Sequence, residues 1–188
     1  MSNEMRHMYH GNVLQMRVSE TPTSQERVLG LLLDEAGSQL TEAQVRERLL
    51  LPKSTTSRAL SELVDDGLVV DASVGRTRLY AVDPSDPVVR HLKIARTLLK
   101  TREALKPVVT VVDSAVLFGS ASKGEDGASS DVDILVVTMD TETVEAELSR
   151  HGWMQSLVVT PSRHMALIAE GGTLARALAE GIEVVKRR

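Results

Sequence analysis

Two aspartates, Asp131 and Asp133, stand one residue apart immediately before the apolar run 134–137. Alternate residues of a β-strand project from the same face, so these two carboxylates would face the same way and could share Mg²⁺. A glycine and a serine, Gly119 and Ser120, end the preceding apolar run. Glycine permits a close backbone approach at a turn, and hydroxyl and helix-end N–H groups can hold phosphate. The spacing therefore predicts a site for a metal ion and a phosphorylated ligand.

The whole constellation lies between two strand-like apolar runs, and its members are Gly119-Ser120, Lys123-Gly124 and Ser130-Asp131-Val132-Asp133. Over about residues 114–137, this pattern resembles the minimal nucleotidyltransferase family of the DNA polymerase β-like superfamily. Ser122 stands where alanine is common in that family, and Lys123 stands where arginine is common. The resemblance implies an α/β fold with a mixed sheet and flanking helices. The alternative for Ser130 and Asp131 is a simple turn after the polar loop 124–129.

The resemblance also implies an activity and its cofactor. Asp131 and Asp133 would be the catalytic metal ligands, and the phosphate contacts would come from Gly119, Ser120, Lys123 and Ser130. Two Mg²⁺ ions bridging a nucleoside triphosphate and a hydroxyl would stabilise in-line displacement at the α-phosphorus, with transfer of a nucleoside monophosphate and departure of pyrophosphate.

A third carboxylate, which members of the superfamily carry on a later strand, is missing at the expected place. The candidate strand 154–160 contains Gln155 and Ser156 but no acidic residue. The first hypothesis is therefore a DNA-binding regulator with a degenerate nucleotidyltransferase-like domain. That domain would bind nucleotide and Mg²⁺ without turnover and be retained for nucleotide sensing, dimerisation or partner binding. The alternative is an active enzyme that transfers a nucleotidyl group to a protein or small molecule. Family resemblance extends that alternative to an antitoxin that modifies a HEPN-type toxin.

The N-terminal half has a different pattern: three helices, at about residues 24–35, 42–49 and 54–66, followed by β-rich runs at 68–72 and 77–82. Thr23 with Glu26 and Thr41 with Gln44 have the spacing of capping boxes. The stretch LTEAQVRERLLLPKSTTSRALSELVDDGLV resembles the MarR- and ArsR-like winged helix-turn-helix modules. The resemblance implies an α+β domain that binds double-stranded DNA.

Small hydroxyls and cations crowd the start of the third helix, the end that enters the major groove in such modules. These candidate DNA contacts are Lys53, Ser54, Thr55, Ser57 and Arg58. Arg76 and Arg78 alternate along the predicted wing and share one face of it. The alternative assigns Ser54 to a helix N-cap and both wing arginines to a solvated edge strand.

Four segments follow from these patterns: a flexible arm (1–22), a winged helix-turn-helix domain (23–84), a connector or dimer helix (85–106) and a nucleotidyltransferase-like domain (107–188). The connector helix is expected to pack through Val88, Leu92, Ala95, Leu98 and Leu99, which recur at the helical interval. A strand is expected at residues 108–112. A homodimer through the connector is expected, because winged-helix regulators commonly pair through a flanking helix.

Composition limits the functional classes. The net charge is −4, with 9 basic and 12 acidic residues up to Pro84 and 13 and 14 beyond it, so DNA binding would require a local basic patch. No apolar run reaches the roughly 20 residues that a membrane span requires. The first residues lack the apolar core of a signal peptide, and there is no cysteine. A cytoplasmic protein is the expectation.

Overall fold

The computed structural model describes residues 22–186. The chain divides into two compact units. The first contains the described residues up to Leu32 together with Ser38–Asp83, and the second contains Leu33–Gly37 together with the described residues from Pro84 onward. The predicted flexible arm lies outside the described residues except for Pro22, and so do the last two residues of the chain.

The first unit is built from three helices and a small antiparallel sheet. Its elements are α1 (Ser24–Asp34), β1 (Leu40–Thr41), α2 (Glu42–Leu49), α3 (Lys53–Asp65), β2 (Val70–Val74) and β3 (Thr77–Ala81), with the strand order β1-β3-β2. Both predicted capping boxes form. The hydroxyl of Thr23 accepts from the Glu26 N–H at 3.2 Å, and the hydroxyl of Thr41 accepts from the Gln44 N–H at 3.2 Å. These bonds satisfy N–H groups that a helix start otherwise leaves unpaired.

The core of this unit comes from one apolar face of each helix. Val28, Leu32, Val45, Leu60 and Leu63 are almost completely buried. Each lies on the face that the helical interval predicts. Burial of such side chains stabilises the unit by about 1.5–3 kcal/mol per residue. Because Leu60 and Leu63 face the core, the polar face of α3 on the other side of the helix is directed to solvent.

The first wing strand begins two residues later than the sequence predicts. The N–H groups of Leu68 and Val69 both donate to the carbonyl of Leu63, because Gly67 turns the chain with φ of 73° at the end of α3. That capping arrangement delays the sheet until Val70. The two wing strands are then joined by Gly75 and Arg76, with φ of 62° at Gly75.

The second unit is a four-stranded mixed sheet with helices on both faces, which confirms the predicted fold class. In chain order its helices and strands are α4 (Pro87–Leu105), β4 (Val112–Phe118), β5 (Val132–Thr138), α5 (Thr141–Leu148), β6 (Met154–Val159), α6 (Pro161–Glu170), α7 (Gly172–Ala179) and β7 (Ile182–Lys186). The strand order is β6-β5-β4-β7. The strands β5 and β6 run parallel, whereas β4 is antiparallel to both of its neighbours.

The two faces of the sheet form separate apolar clusters. On one face, Ile134 and Val136 of β5 pack with Leu105 at the end of α4 and with Val144 and Leu148 of α5. On the other face, the intervening residues of β5, Leu135 and Val137, pack with Leu178 of α7 and Leu167 of α6. Every residue of β5 except Asp133 is buried, as expected for one of the two interior strands of the sheet.

One strand prediction for this unit is wrong, and one strand is not foreseen. The expected strand at 108–112 is a 3₁₀ helix (Lys106–Val108) and a turn, in which the Val111 N–H donates to the Val108 carbonyl; the strand begins only at Val112. Pro107 has no N–H for a strand ladder, which favours the turn. The unforeseen strand is β7, which pairs with β4 at the edge of the sheet.

The buried face of α4 also differs from the predicted one. Its buried residues are Val89, Lys93, Thr97, Thr101, Ala104 and Leu105. Of the apolar residues expected to pack, Leu98 packs against the sheet cluster, whereas Val88 is 50% exposed and Leu99 is 47% exposed. The inward face carries a lysine and two threonines, so the apolar pattern indicates the buried side of the helix only in part.

Candidate functional site

The predicted chemical motif lies where β4 ends and β5 begins. Phe118, the last residue of β4, pairs with Asp133 of β5. Gly119 follows with φ of 71°, and a Cβ atom on it would stand 2.5 Å from Oδ2 of Asp133. A side chain at position 119 would therefore meet both an unfavourable backbone conformation and the carboxylate. The close approach brings the backbone of the Gly119-Ser120 turn directly to Asp133, as the motif predicts.

The turn continues into a short 3₁₀ helix (Ala121–Lys123). The N–H groups of Lys123 and Glu125 both donate to the carbonyl of Ser120. Ser122 is buried, and its hydroxyl donates to the carbonyl of Gly119 at 2.8 Å. This hydrogen bond accounts for a serine at a position where the resembling family commonly has alanine.

The two aspartates differ in their surroundings. Asp131 is exposed just before β5, whereas Asp133 is half-buried within the strand. Burial raises the pKa of the Asp133 carboxyl above its ordinary value, and the negative charge of Asp131 raises this pKa further. A cation beside Asp133 would favour the charged form of its carboxyl, which burial and the charge of Asp131 disfavour.

The strand beside Asp133 contributes no acid. β6 runs parallel to β5 with Gln155 as the register partner of Asp133 and Ser156 as the partner of Ile134. Within residues 22–186, no group of three or more histidine, cysteine, aspartate or glutamate side chains is placed to hold a metal ion.

The remaining predicted phosphate ligands have local partners. The ammonium group of Lys123 lies 3.0 Å from Oε2 of Glu180, and both side chains are exposed. The hydroxyl of Ser130 accepts from the N–H of Gly127 at 2.9 Å. This hydrogen bond closes a turn at the end of the polar loop 124–129, which is the alternative to a phosphate-binding role for Ser130. Ser120, which belongs to the motif itself, is exposed. These residues surround the loop between β4 and β5. Ser130 is held by its hydrogen bond within the loop, and Lys123 is held by its ion pair with Glu180, the residue after α7.

A lysine that the sequence reading did not assign to the site anchors this loop. Lys93 of α4 has only 3% of its side chain exposed, and its ammonium group donates to the carbonyl of Asp126 and lies 3.2 Å from Oδ1 of the same residue. Two residues before Asp126, Gly124 would clash through a Cβ atom with the carbonyl of Arg90, at 2.5 Å. The loop is thus packed on the inward, polar face of α4, where hydropathy gives no signal.

The candidate DNA-binding surface lies on α3. Lys53, Ser54, Ser57 and Arg58 are exposed and Thr55 is half-buried. The helix N-cap is Pro52, so Ser54 is a residue of the first turn and not the N-cap. The guanidinium group of Arg58 lies 2.7 Å from the Glu62 carboxylate, and this hydrogen bond and charge raise the pKa of Arg58.

Three further residues join this surface. Thr23, Ser24 and Gln25, at the start of α1, line an open concavity together with Ser54, Thr55 and Arg58 of α3. From the sequence, Thr23 is predicted only to cap α1. The position of Thr23 next to α3 depends on helix packing, which local residue spacing does not reveal.

The two wing arginines have different settings. Arg78 on β3 pairs with Asp71 of β2 at 2.6 Å, and its guanidinium carbon lies 5.5 Å from the centre of the Tyr80 ring. Arg76 lies in the two-residue turn rather than on the strand, and it is exposed at the tip of the wing. The prediction that both lie along one strand face is therefore wrong for Arg76.

Comparison with protein families identifies both parts of the chain. Residues 21–78 match the MarR family, and residues 95–174 match the nucleotidyltransferase domain. The chain therefore carries a MarR-like DNA-binding domain followed by a nucleotidyltransferase domain, in the order that the sequence predicts.

Within the described residues, none of the helices combines the length and apolar character that crossing a membrane requires.

Two solved structures are similar to parts of the chain. Reduced HlyU from Vibrio cholerae N16961 is 25% identical, with a TM-score of 0.32, over 43% of this chain and 76% of its own. A protein from Sulfolobus solfataricus, described as a candidate nucleotidyltransferase, is 19% identical, with a TM-score of 0.38, over 52% of this chain and 87% of its own. No curated protein matches the chain.

Proposed function

We propose that the protein is a transcriptional regulator whose MarR-like domain binds double-stranded DNA and whose nucleotidyltransferase domain binds a nucleoside triphosphate with Mg²⁺ but lacks a complete set of catalytic carboxylates. One observation carries this proposal: the register partner of Asp133 on the neighbouring strand is Gln155, a neutral residue. Asp131 and Asp133 retain the means to hold a cation, and the third negative charge is replaced by an amide.

The donor set fits Mg²⁺. Carboxylate oxygens are its usual protein ligands, supplemented by water and substrate phosphates. The raised pKa of Asp133 reflects burial and the charge of Asp131, and a divalent cation between the two carboxylates would relieve that repulsion. The glycine at 119 leaves the Asp133 carboxylate open where a methyl group would stand 2.5 Å from it.

The phosphates are proposed to contact Gly119, Ser120, Lys123 and Ser130. Lys123 is paired with Glu180 at the surface, where solvent screening makes such an ion pair weak. A triphosphate oxygen can therefore replace Glu180 as its partner at little cost. When bound, Mg²⁺ would neutralise phosphate charge beside Asp131 and Asp133.

DNA recognition is assigned to the exposed start of α3 and to the wing. Lys53, Ser54, Thr55, Ser57 and Arg58 face solvent or the concavity beside α1. Arg76 at the wing tip is placed to reach backbone phosphate. Arg78 is already neutralised by Asp71, so its contribution to phosphate binding is the smaller of the two.

The proposed assembly is a dimer of this chain through α4. Val88, Leu92, Ala95 and Leu99 follow one another at intervals of four, three and four residues, the spacing of the a and d positions of a coiled coil. They lie opposite the buried stripe of α4, and the first and last of them are about half exposed. A second copy of the same helix is the partner that this repeat fits.

Calorimetric titration of the full chain with ATP in the presence of Mg²⁺ tests the nucleotide half of the proposal, alongside an assay for released pyrophosphate. Binding that Asp131→Ala with Asp133→Ala abolishes, without pyrophosphate release, is the expected result. Release of pyrophosphate that depends on both aspartates would replace the proposal with an active transferase. Absence of binding would remove the nucleotide-binding role. This experiment does not test whether a HEPN-type toxin is a partner of the protein, which stays a prediction from family resemblance.

A further inference from the structure

We infer that Gln155 is the third side chain of the Asp131–Asp133 site and that its neutral amide sets a low affinity for divalent cations. This inference rests on the proposed cation-binding function. It concerns a residue on β6, more than twenty positions beyond the two aspartates in the sequence. Its place beside them is fixed by the pairing of β5 with β6.

The strand register supplies the first step. Asp133 and Gln155 are Cα partners in parallel strands. Neighbouring strands lie about 4.7–4.9 Å apart, and register partners in a parallel pair project from the same face of the sheet. The amide of Gln155 therefore rises from the sheet next to the carboxylate of Asp133, at the distance of adjacent strands.

The covering of the sheet supplies the second step. Further along the same face of β5, Leu135 and Val137 are buried in a cluster that includes Leu178. Asp133 is only half-buried and Gln155 is exposed, so the face is open at this end. Within the described part of the chain, no hydrogen bond engages the Gln155 amide, which leaves its oxygen and its N–H groups available to a ligand.

Side-chain chemistry supplies the third step. An amide oxygen can ligate a hard cation directly or through water, but it brings no charge. A carboxylate in the same place would add a third negative charge beside Asp131 and Asp133. Since cation affinity in oxygen-ligand sites depends on the number of charged ligands, Gln155 keeps the site at the weak end of the range.

The test uses Mn²⁺ as the probe, with the full chain, and follows the free ion by electron paramagnetic resonance. The isosteric variant Gln155→Glu should bind Mn²⁺ about tenfold more tightly than the wild type. Met139→Glu is the matched control, because it adds the same charge at an exposed residue (76%) beyond the opposite end of β5. Its affinity should stay within about twofold of the wild type, since added surface charge at that distance is screened.

Equal affinities of Gln155→Glu and Met139→Glu would overturn the inference. Asp133→Asn separates that failure from failure of the proposed function, because it removes a carboxylate of the site itself. If Asp133→Asn weakens binding while Gln155→Glu changes nothing, the cation site stands and only the role of Gln155 is lost. If neither the wild type nor Gln155→Glu binds Mn²⁺, both are overturned. Binding that appears only in Gln155→Glu supports the inference.

Discussion

Gly119 lies against the carboxylate of Asp133, so closely that a methyl group on it would stand 2.5 Å from Oδ2. Gly119→Ala is therefore expected to displace Asp133 and to weaken Mn²⁺ binding as strongly as Asp133→Asn does. The backbone adds a cost of about 1–2 kcal/mol, because φ is 71° at this position and an L-residue is strained there. Mn²⁺ titration and urea unfolding of the same variant measure the two effects.

Gly171→Ala is the control for backbone strain. Gly171 belongs to the same unit and has φ of 69°, but a Cβ atom on it would meet nothing within 4 Å. The variant Gly171→Ala should have a lower free energy of unfolding than the wild type but the same affinity for Mn²⁺. Equal affinity of Gly119→Ala and the wild type would contradict the close contact with Asp133.

The pKa of Asp133 predicts how stability depends on pH. Its carboxyl is protonated more readily in the folded protein than in the unfolded chain, because burial and Asp131 oppose its charge. Stability therefore falls as pH rises through the window between the unfolded pKa, about 3.9, and the higher folded value. Asp133→Asn removes this loss and should make the protein more stable than the wild type at pH 7.

Urea unfolding at pH 7 and at pH 3 measures this difference. At pH 3 the carboxyl is largely protonated in both states, so the advantage of Asp133→Asn should disappear. NMR titration of the carboxyl should also show a lower pKa for Asp133 in Asp131→Asn, since one of the two causes is removed. An advantage of the same size at both pH values would show that the charge of Asp133 is not its source.

The buried pair of Lys93 and Asp126 predicts a large effect on stability. Lys93→Met leaves the Asp126 carboxylate, 18% exposed, without its cation, and it removes the donor to the Asp126 carbonyl. Loss of one partner of a buried pair costs about 3–5 kcal/mol. Hydrogen exchange should also become faster in the loop that carries Asp126, because α4 no longer holds it.

Lys106→Met provides the comparison for this pair. Lys106 follows α4 and pairs with Glu103, but both side chains are about three-quarters exposed. Such a pair contributes about 0–1 kcal/mol, so urea unfolding should detect little change. The double variant Lys93→Met with Asp126→Asn should recover part of the loss, and a double variant as unstable as Lys93→Met would contradict the ion-pair explanation.

Local patterns were sufficient for much of the fold. Capping boxes at Thr23 and Thr41 and glycine at position 67 mark helix ends through bonds between neighbouring residues, and the structure contains all three. The Gly119–Asp133 motif was also readable, because its residues sit at the ends of two adjacent strands. Such signals depend on a few consecutive residues and survive in the sequence whatever surrounds them.

Long-range packing explains what the sequence did not reveal. The inward face of α4 carries Lys93 and Thr97 because it meets a polar loop, and hydropathy cannot identify a face that buries polar groups against a distant loop. The pairing of Gln155 with Asp133 requires the register of β5 and β6, which depends on the whole sheet. The absence of an acid from residues 154–160 is evident in the sequence, but the residue that stands beside Asp133 is not.

The exposed start of α3 predicts a measurable loss of DNA affinity in Arg58→Ala. Removal of one phosphate- or base-contacting arginine costs about 1–3 kcal/mol, which is about fivefold to 150-fold in affinity. Fluorescence anisotropy with a duplex from the promoter of its own gene measures this loss. If the contact is to phosphate, the slope of log affinity against log salt should also fall by about one.

Arg150→Ala is matched to Arg58→Ala in charge and setting. Arg150 is also exposed and also lies 2.7 Å from a nearby glutamate, Glu147, although it follows the end of α5 rather than lying on the helix. It belongs to the second unit and should leave DNA affinity unchanged. Equal losses in both variants would indicate a nonspecific effect of net charge, and no loss in Arg58→Ala would remove Arg58 from the DNA-binding surface.

The outward stripe of α4 predicts that Leu99→Glu converts a dimer into a monomer. Leu99 is 47% exposed at an a-like position of the repeat, and a carboxylate there would be desolvated against the second helix. Ile168→Glu is the control, because Ile168 is also 47% exposed and also lies on a helix, α6. Light scattering after size-exclusion chromatography should give half the wild-type mass for Leu99→Glu alone. A monomeric wild type, or a dimer that Leu99→Glu leaves intact, would exclude α4 as the interface.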